Sequence, residues 1–310
     1  MGIKCFTTYK DVPQDAQNCV LVIGNFDGVH LGHQALLKKG REIAKKKNVP
    51  LGVLTFEPHP RQLFRPDEPP CRITPNDLKN ERLCDCGVDL VFSLPFDWDF
   101  ASQSADDFVQ NILIDGIQAS HVIVGYDFKF GQLRQGTPHT IKDAGLDVTV
   151  IEKIEEEGAG DLSSSHVRQL LRHGKIDEAN SVLGWNWEVR GEIVKGDQRG
   201  RELGYPTANM SLDEVVHPAY GIYACLVRLK DEDDWRMAAT NIGIRPMFEV
   251  PTAQIETFIF DFDREIYGQA LCVRPVKRLR GEAKFNSLDE LIVQMDKDCA
   301  QAREVLTTLM

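Results

Sequence analysis

"VIGNFDGVHLGHQALLKKG", Val22 to Gly40, decides the fold of the first half of this chain. A short apolar run, Cys19 to Ile23, stops at Gly24. The next residues bring Gly24, Gly28 and Gly32 together with Asp27, His30 and His33, and a helical pattern follows. A buried strand that turns at glycines into a helix begins a βαβ unit, and ligands of open α/β sheets bind at the carboxyl ends of such strands. Backbone N–H groups at the helix start suit phosphate oxygens. The spacings of a Walker loop and of the dinucleotide fingerprint are both absent.

Working outward, the chain alternates. The reading is strand at Val20–Ile23, helix at Gln34–Lys47, strand at Leu51–Phe56, helix at Asp77–Cys86, strand at Val88–Leu94, helix at Ala105–Leu113 and strand at His121–Gly125. Apolar strands separated by amphipathic helices predict a parallel sheet covered on both faces. Helices near His166–His173 and Ile176–Leu183 are expected to close this unit. After Gly184 the pattern changes to short strands with Gly, Pro and Asp turns, which predicts an antiparallel sheet or barrel. Ser287 with Glu290 is a capping-box pattern that starts a terminal helix. The expected fold is α/β plus β: a Rossmann-like domain over residues 1–183, then a β-barrel with a terminal helix over 184–310.

The chain has 310 residues and a net charge of −11. That charge argues against non-specific duplex binding, which needs basic surface. No apolar stretch approaches the ~18 residues of a membrane span. The first residues, MGIKCFTTYKDV, lack the apolar segment of a signal peptide, and Phe6 stands where a myristoylation signal needs Ser or Thr. The eight cysteines have no zinc or redox spacing. The expectation is therefore a cytoplasmic protein with reduced thiols, small-molecule substrates and neither nucleic-acid nor membrane partner. Self-association is left open.

His30-Leu31-Gly32-His33 in the first strand-to-helix turn resembles the HxGH signature of the nucleotidylyltransferase superfamily. A pentacoordinate phosphorus gains negative charge, and fixed imidazole and backbone donors serve it without reorganising. A glycine turn with two solvated histidines would explain HxGH alone. Three further segments follow in order: "TFEPHP" (Thr55–Pro60), "VGYDFKFG" (Val124–Gly131) and "LSSSHVRQLL" (Leu162–Leu171). The last resembles the superfamily's ISSTxxR element, although a serine run by itself is more often an N-cap. The whole order looks like the N-terminal module of bacterial FAD synthetases. That resemblance implies His30, His33 and Arg168 as catalytic groups. It implies Gly24, Phe26, Asp27, Gly32, Ser163 and Ser164 as ATP-binding residues, and Asn25, Thr55, Pro58, Asp127, Phe128 and Phe130 as lining the nucleotide or flavin pocket. Ser165, His166 and Tyr126 depart from the family pattern, and His166 carries little charge at neutral pH.

"VKGDQRGRELGYPTANM" (Val194–Met210) is the strongest signal in the second half. Glycines allow a loop to fold closely over phosphates. A threonine hydroxyl and an asparagine carbonyl are oxygen ligands suited to Mg²⁺. The stretch resembles the riboflavin kinase signature GRxLGFPTAN, and the likeness continues through "GIYACLV", "ATNIGIRPMFE" and "ETFIFDFDREIYG". It implies ATP binding by Gly196, Gly200, Arg201, Gly204, Thr207 and Asn209, with Thr207 and Asn209 on the metal, and flavin binding by Arg245. Met247 stands where threonine is usual. Glu256, in an extended "IETFIFDFD", shares a face with Phe258, Phe260 and Phe262. A carboxylate on an aromatic face is costly to bury. Either it lies at the strand's exposed end, or it acts as general base, the role the family assigns it.

The two resemblances together imply a bifunctional riboflavin kinase and FAD synthetase that uses ATP and Mg²⁺, takes riboflavin to FMN, and takes FMN to FAD. A nucleotidylyltransferase for another phosphorylated acceptor would keep HxGH and the serine element but not the PTAN half. A non-catalytic flavin-binding protein could lose the phosphate-binding groups, which this sequence retains.

Overall fold

The computed structural model describes residues 2–153, 155–156, 160–196, 200, 203–212, 214–245 and 252–309. Contacts divide the chain into two compact units, Met1–Ser164 and Ser165–Met310.

The first unit is built on six parallel strands. They are β1 (Lys4–Phe6), β2 (Val20–Ile23), β3 (Leu51–Glu57), β4 (Leu90–Pro95), β5 (His121–Gly125) and β6 (Val148–Ile151), in the order β1-β4-β3-β2-β5-β6. Alternation along β2 explains the two-sided core. Leu21 and Ile23 join a cluster with Phe92, Phe108 and Ile112, whereas Val20 and Val22 join one with Leu37, Ala44 and Val53. Helix α1 (Leu31–Lys47) covers the second face and ends on Asn48 in the left-handed conformation. The strand order reverses between β2 and β5, so the residues after these two strands share the crevice where such sheets bind ligands.

Further helices are α2 (Pro60–Phe64), α3 (Asn76–Asp85), α4 (Trp98–Ala101), α5 (Ala105–Asp107) and α6 (Pro138–Asp143), and two short strands, β7 (Glu155–Glu156) and β8 (Gly160–Asp161), pair antiparallel after β6. The helix expected over Ala105–Leu113 is α-helical only in α5 and continues as a π-helix over Phe108–Gly116. Its exit bond, from the Ile117 N–H to the Ile112 carbonyl, spans five residues instead of four.

In the second unit, helices α7 (Ser164–Arg172) and α8 (Ile176–Leu183) precede the strands. They were expected to close the first unit. Instead Ala219 N–H donates to the Leu171 carbonyl, and α8 packs against β14 (Ala270–Arg280). The other strands are β9 (Val189–Glu192), β10 (Thr207–Ser211), β11 (Gly221–Leu229), β12 (Arg236–Arg245) and β13 (Thr252–Ile259). They pair antiparallel in the order β10-β13-β12-β11-β14-β9. A bridge from Val194 N–H to the Asn209 carbonyl, at 2.8 Å, joins the two ends of that sheet into a nearly closed barrel. The terminal helix α9 (Leu288–Thr307) starts at Ser287, whose hydroxyl accepts from Glu290 N–H, as its capping pattern predicted. Its residues Ala302 and Leu306 pack on the outer barrel face against Ala224, Ala239 and Phe260.

Candidate functional site

In the first unit the turn after β2 is built from short range outward. Phe26 takes a left-handed backbone (φ 51°), and His30 caps α1, its Nδ1 accepting from His33 N–H at 3.4 Å. An Nδ1 that accepts carries no proton, so in this tautomer the Nε2–H is the donor. The two imidazoles stack with centroids 3.7 Å apart, and the His33 ring lies 5.0 Å from that of Phe26.

The serine element meets this turn. Ser164 Oγ donates to the Asp27 carbonyl at 2.7 Å, and Ser163 Oγ to Asp161 Oδ2 at 2.7 Å. At Gly32 a Cβ would fall 3.0 Å from the Leu162 carbonyl oxygen, so the close approach of the two motifs leaves little room for a side chain there. The structure thus brings Asn25, Asp27, His30, Gly32, His33, Ser163 and Ser164 into one region of the first unit. Asp127 and Phe128 follow β5, the neighbour of β2. Arg168 lies on α7 in the second unit, 5% exposed.

Several expected pocket residues instead hold the turn together. The Phe26 side chain is fully buried in the core, so what it can offer a ligand is backbone. Phe130 is also buried, stacked on Phe128 and tilted against Phe108. Thr55 is fully buried, and its hydroxyl donates to the Asn25 carbonyl at 3.0 Å. Asp27 Oδ1 accepts from the N–H groups of Ile73 (2.8 Å) and Thr74 (3.1 Å), and Thr74 Oγ1 accepts from Gly28 N–H at 2.9 Å. Pro58 and Asn25 are exposed at the strand ends.

Beneath this turn lies a charged cluster that sequence reading missed. Lys79, 4% exposed, donates from Nζ to Thr55 Oγ1 at 3.4 Å and lies 3.6 Å from Glu57 Oε2. Arg72, 6% exposed, pairs with Glu57 and donates to Gln62 Oε1 at 3.1 Å. Burial pulls the Lys79 ammonium below the usual lysine range, while Glu57 and Asp27 oppose that shift. An aromatic shelf was missed too. Phe56, Phe96 and Phe100 carry Phe64 and Trp98 at the carboxyl ends of β3 and β4, and the last two rings are largely exposed.

In the second unit a cavity of about 440 Å³ is lined by Gly196, Pro206, Thr207, Asn209 and Thr257 and by the loop Phe262–Tyr267. The motif had pointed to the first part of that wall. The loop lies in a segment noted for its likeness, yet none of its residues was named as a site residue. At Gly196 a Cβ would come within 2.7 Å of the Asn209 carboxamide, so only glycine lets the loop pack directly against that amide. Asn209 Nδ2 donates to the Thr207 carbonyl at 3.1 Å. Gly200 accepts from Tyr205 N–H at 2.7 Å, closing the turn before Pro206, and Gly204 has φ +85°. Arg201 and Met247 lie outside the described residues, as does the side chain of Arg245.

Glu256 sits mid-strand, not at a frayed end. In register it opposes Asn209 of β10 on one side and Asn241 of β12 on the other, and Asn241 Nδ2 lies 3.4 Å from its Oε2. Residues directly opposite share a face. Glu256, Asn209, Thr207 and Phe258 therefore stand on the outer face of the barrel, while Thr257 and Ile255 point inward.

The family model for FAD synthetase matches residues 12–166, and that for riboflavin kinase matches residues 183–306. The bifunctional riboflavin kinase/FMN adenylyltransferase of Escherichia coli K12 is 39% identical over 299 residues, covering 95% of this chain and 94% of that protein. Its counterpart in Bacillus subtilis is 35% identical over 310 residues, covering 96% of each chain. A crystal structure from Streptococcus pneumoniae, described as a macrolide-efflux protein, matches with a TM-score of 0.85 and 32% identity, covering 98% of this chain and 99% of that one. Among the described residues, no helix here is long and apolar enough to cross a membrane.

Proposed function

The chain belongs to the bifunctional riboflavin kinase/FMN adenylyltransferase family, and from that membership we propose which residues perform each of its two reactions. The enzyme phosphorylates riboflavin to FMN and adenylylates FMN to FAD. We assign the second reaction to residues 1–183 and the first to residues 184–310.

In the kinase reaction Glu256 removes the proton from the riboflavin 5′-hydroxyl as that oxygen attacks the γ-phosphorus of ATP, and ADP leaves. The observation that carries this reading is the register of β13: it sets the Glu256 carboxylate beside the Asn209 amide on one barrel face. The Thr207 hydroxyl and Asn209 carboxamide are hard oxygen donors, and both residues line the cavity. They fit Mg²⁺ carried with the nucleotide. When bound, Mg²⁺ would supply neutralisation of phosphate charge. Gly196, Gly200, Arg201 and Gly204 belong to the loop over the phosphates, and Arg245 serves the flavin.

In the adenylylation the FMN phosphate oxygen attacks the α-phosphorus of ATP and pyrophosphate leaves. The nucleophile is already anionic, so no general base is required. Donors at His30 Nε2 and His33, with Ser163, Ser164 and the backbone of Gly24, Phe26, Asp27 and Gly32, hold the triphosphate. Asn25, Pro58, Asp127 and Phe128 border the flavin, and Thr55 and Phe130 support that border from behind. The net charge supports small-molecule substrates over nucleic acid. Eight free cysteines support a cytoplasmic setting.

Separating the flavins formed by single-site variants tests the division. Glu256→Gln should form no FMN from riboflavin yet convert FMN to FAD, and His33→Ala should do the reverse. Wild-type kinase turnover in Glu256→Gln would remove Glu256 as the base. Equal loss of both activities in folded His33→Ala would remove the two-site assignment.

A further inference from the structure

Tyr205 stands between the nucleotide cavity and the terminal helix. Its N–H closes the turn on Gly200, and the next two residues, Pro206 and Thr207, line the cavity. Its ring meets Phe258 edge-on at 5.1 Å, and Phe258 is the register partner of Thr207. Its hydroxyl donates to Asp296 Oδ1 on α9 at 2.5 Å. A phenol bonded to a carboxylate is a charge-assisted contact. That bond, more than burial, pushes the phenol up to about 12, so the hydroxyl stays a donor throughout the working range of pH. The related signature carries phenylalanine here, which can reproduce the ring contact but not the hydroxyl bond.

The helix is also fixed two residues to either side of Asp296, through Gln294 and Asp298. Arg280 grips Asp298 through both carboxylate oxygens, and Gln294 donates to the same carboxylate at 2.9 Å. The first turns of α9, by contrast, keep Leu288 and Val293 more than half exposed. The Tyr205 bond thus ties the loop before Thr207 to α9 between Gln294 and Asp298.

We propose that the Tyr205 hydroxyl and Asp296 form a latch that transmits occupancy of the nucleotide cavity to the first half of α9, beside the barrel face that carries Glu256. This rests on the assignment of that cavity to MgATP. A ligand drawn onto Thr207 acts on Tyr205 through one proline, and the ring cannot swing freely because Phe258 backs it. The hydroxyl bond then makes the helix share whichever loop position the nucleotide favours. Coupling of this kind requires an element that two ligands bias in common.

Hydrogen exchange on the full-length protein, with and without MgADP, tests the latch. In the wild type MgADP should slow amide exchange both at Thr207–Ser211 and in residues 288–297. In Tyr205→Phe it should still protect Thr207–Ser211 but no longer the helix. The same variant should raise the ATP KM of the kinase reaction about two- to tenfold, the range of one hydrogen bond, with kcat and FMN adenylylation retained. Asp296→Asn should reproduce the shift, and the double variant should add nothing to it. Helix protection that persists in Tyr205→Phe, an unchanged KM, or additive effects of the two substitutions would overturn the latch. If MgADP protects neither region of the wild type, the nucleotide assignment of the cavity fails first and the latch falls with it.

Discussion

Lys79 shows how a residue far from any motif can govern one. Its ammonium stands behind Thr55, which holds the Asn25 carbonyl, and beside Glu57, which also pairs with Arg72. Removing one member of a buried ion cluster leaves its partners uncompensated, at a typical cost of about 3–5 kcal/mol. Lys79→Met should therefore lower the denaturant midpoint of the first unit by that order and depress FAD formation with it. A wild-type midpoint would show that the cluster contributes nothing. Sequence reading singled out His30, His33 and the serines because local spacing announces them, and the structure brings them together. It could not find Lys79, Arg72 or Thr74, since what matters there is pairing across gaps of 24, 15 and 46 residues. A lone lysine in a helical pattern reads as a solvated charge. The resemblance likewise offered Thr55 and Phe26 for the site, where the Thr55 side chain is an internal brace and the Phe26 side chain is core.

Among the elements, β9 carries the clearest dependence on pH. Glu188, immediately before it, is buried. Burial alone would raise its carboxyl, but hydrogen bonds from Arg274 and Arg190 outweigh that and hold it below its usual value of 4.5. A carboxyl lowered in the folded state contributes stability above its unfolded value, and that contribution is lost as pH falls through the folded one. Barrel stability should thus decline as the medium is acidified below about 4.5, and Glu188→Gln should flatten that acid limb. Denaturant midpoints measured across the range decide it, and parallel limbs in both proteins would refute the assignment. Element type was mostly legible: β2, β5 and α1 follow from apolar runs and a 3.6-residue period, and α9 from its cap. The π-helical stretch was not, because apolar residues at Phe108, Val109, Ile112 and Leu113 fit an α-helical stripe as well as a wider turn.

At the scale of the whole chain, the change of composition near Gly184 marks where strands begin, not where packing changes partners. Helices α7 and α8 contribute to the barrel unit: Leu171 accepts from Ala219, and Asn180 Oδ1 accepts from the N–H of the fully buried Trp187 at 2.8 Å. A fragment of residues 165–310 should therefore unfold at higher denaturant than one of 184–310, and the shorter fragment should show red-shifted tryptophan emission. Equal midpoints would mean that the two helices add no stability to the barrel. Periodicity located these helices correctly. Only three-dimensional contact could say which core they serve.

The bridge between Val194 and Asn209 has a consequence for how this enzyme can diverge. Asn209 closes the barrel with its carbonyl while its side chain faces the site. A substitution there keeps the seam but loses the ligand group, and a shift of the chain there opens the seam. Selection for a new phosphoryl acceptor is thus steered away from the strand and towards loops such as Phe262–Tyr267, whose side chains can be exchanged without reopening the barrel.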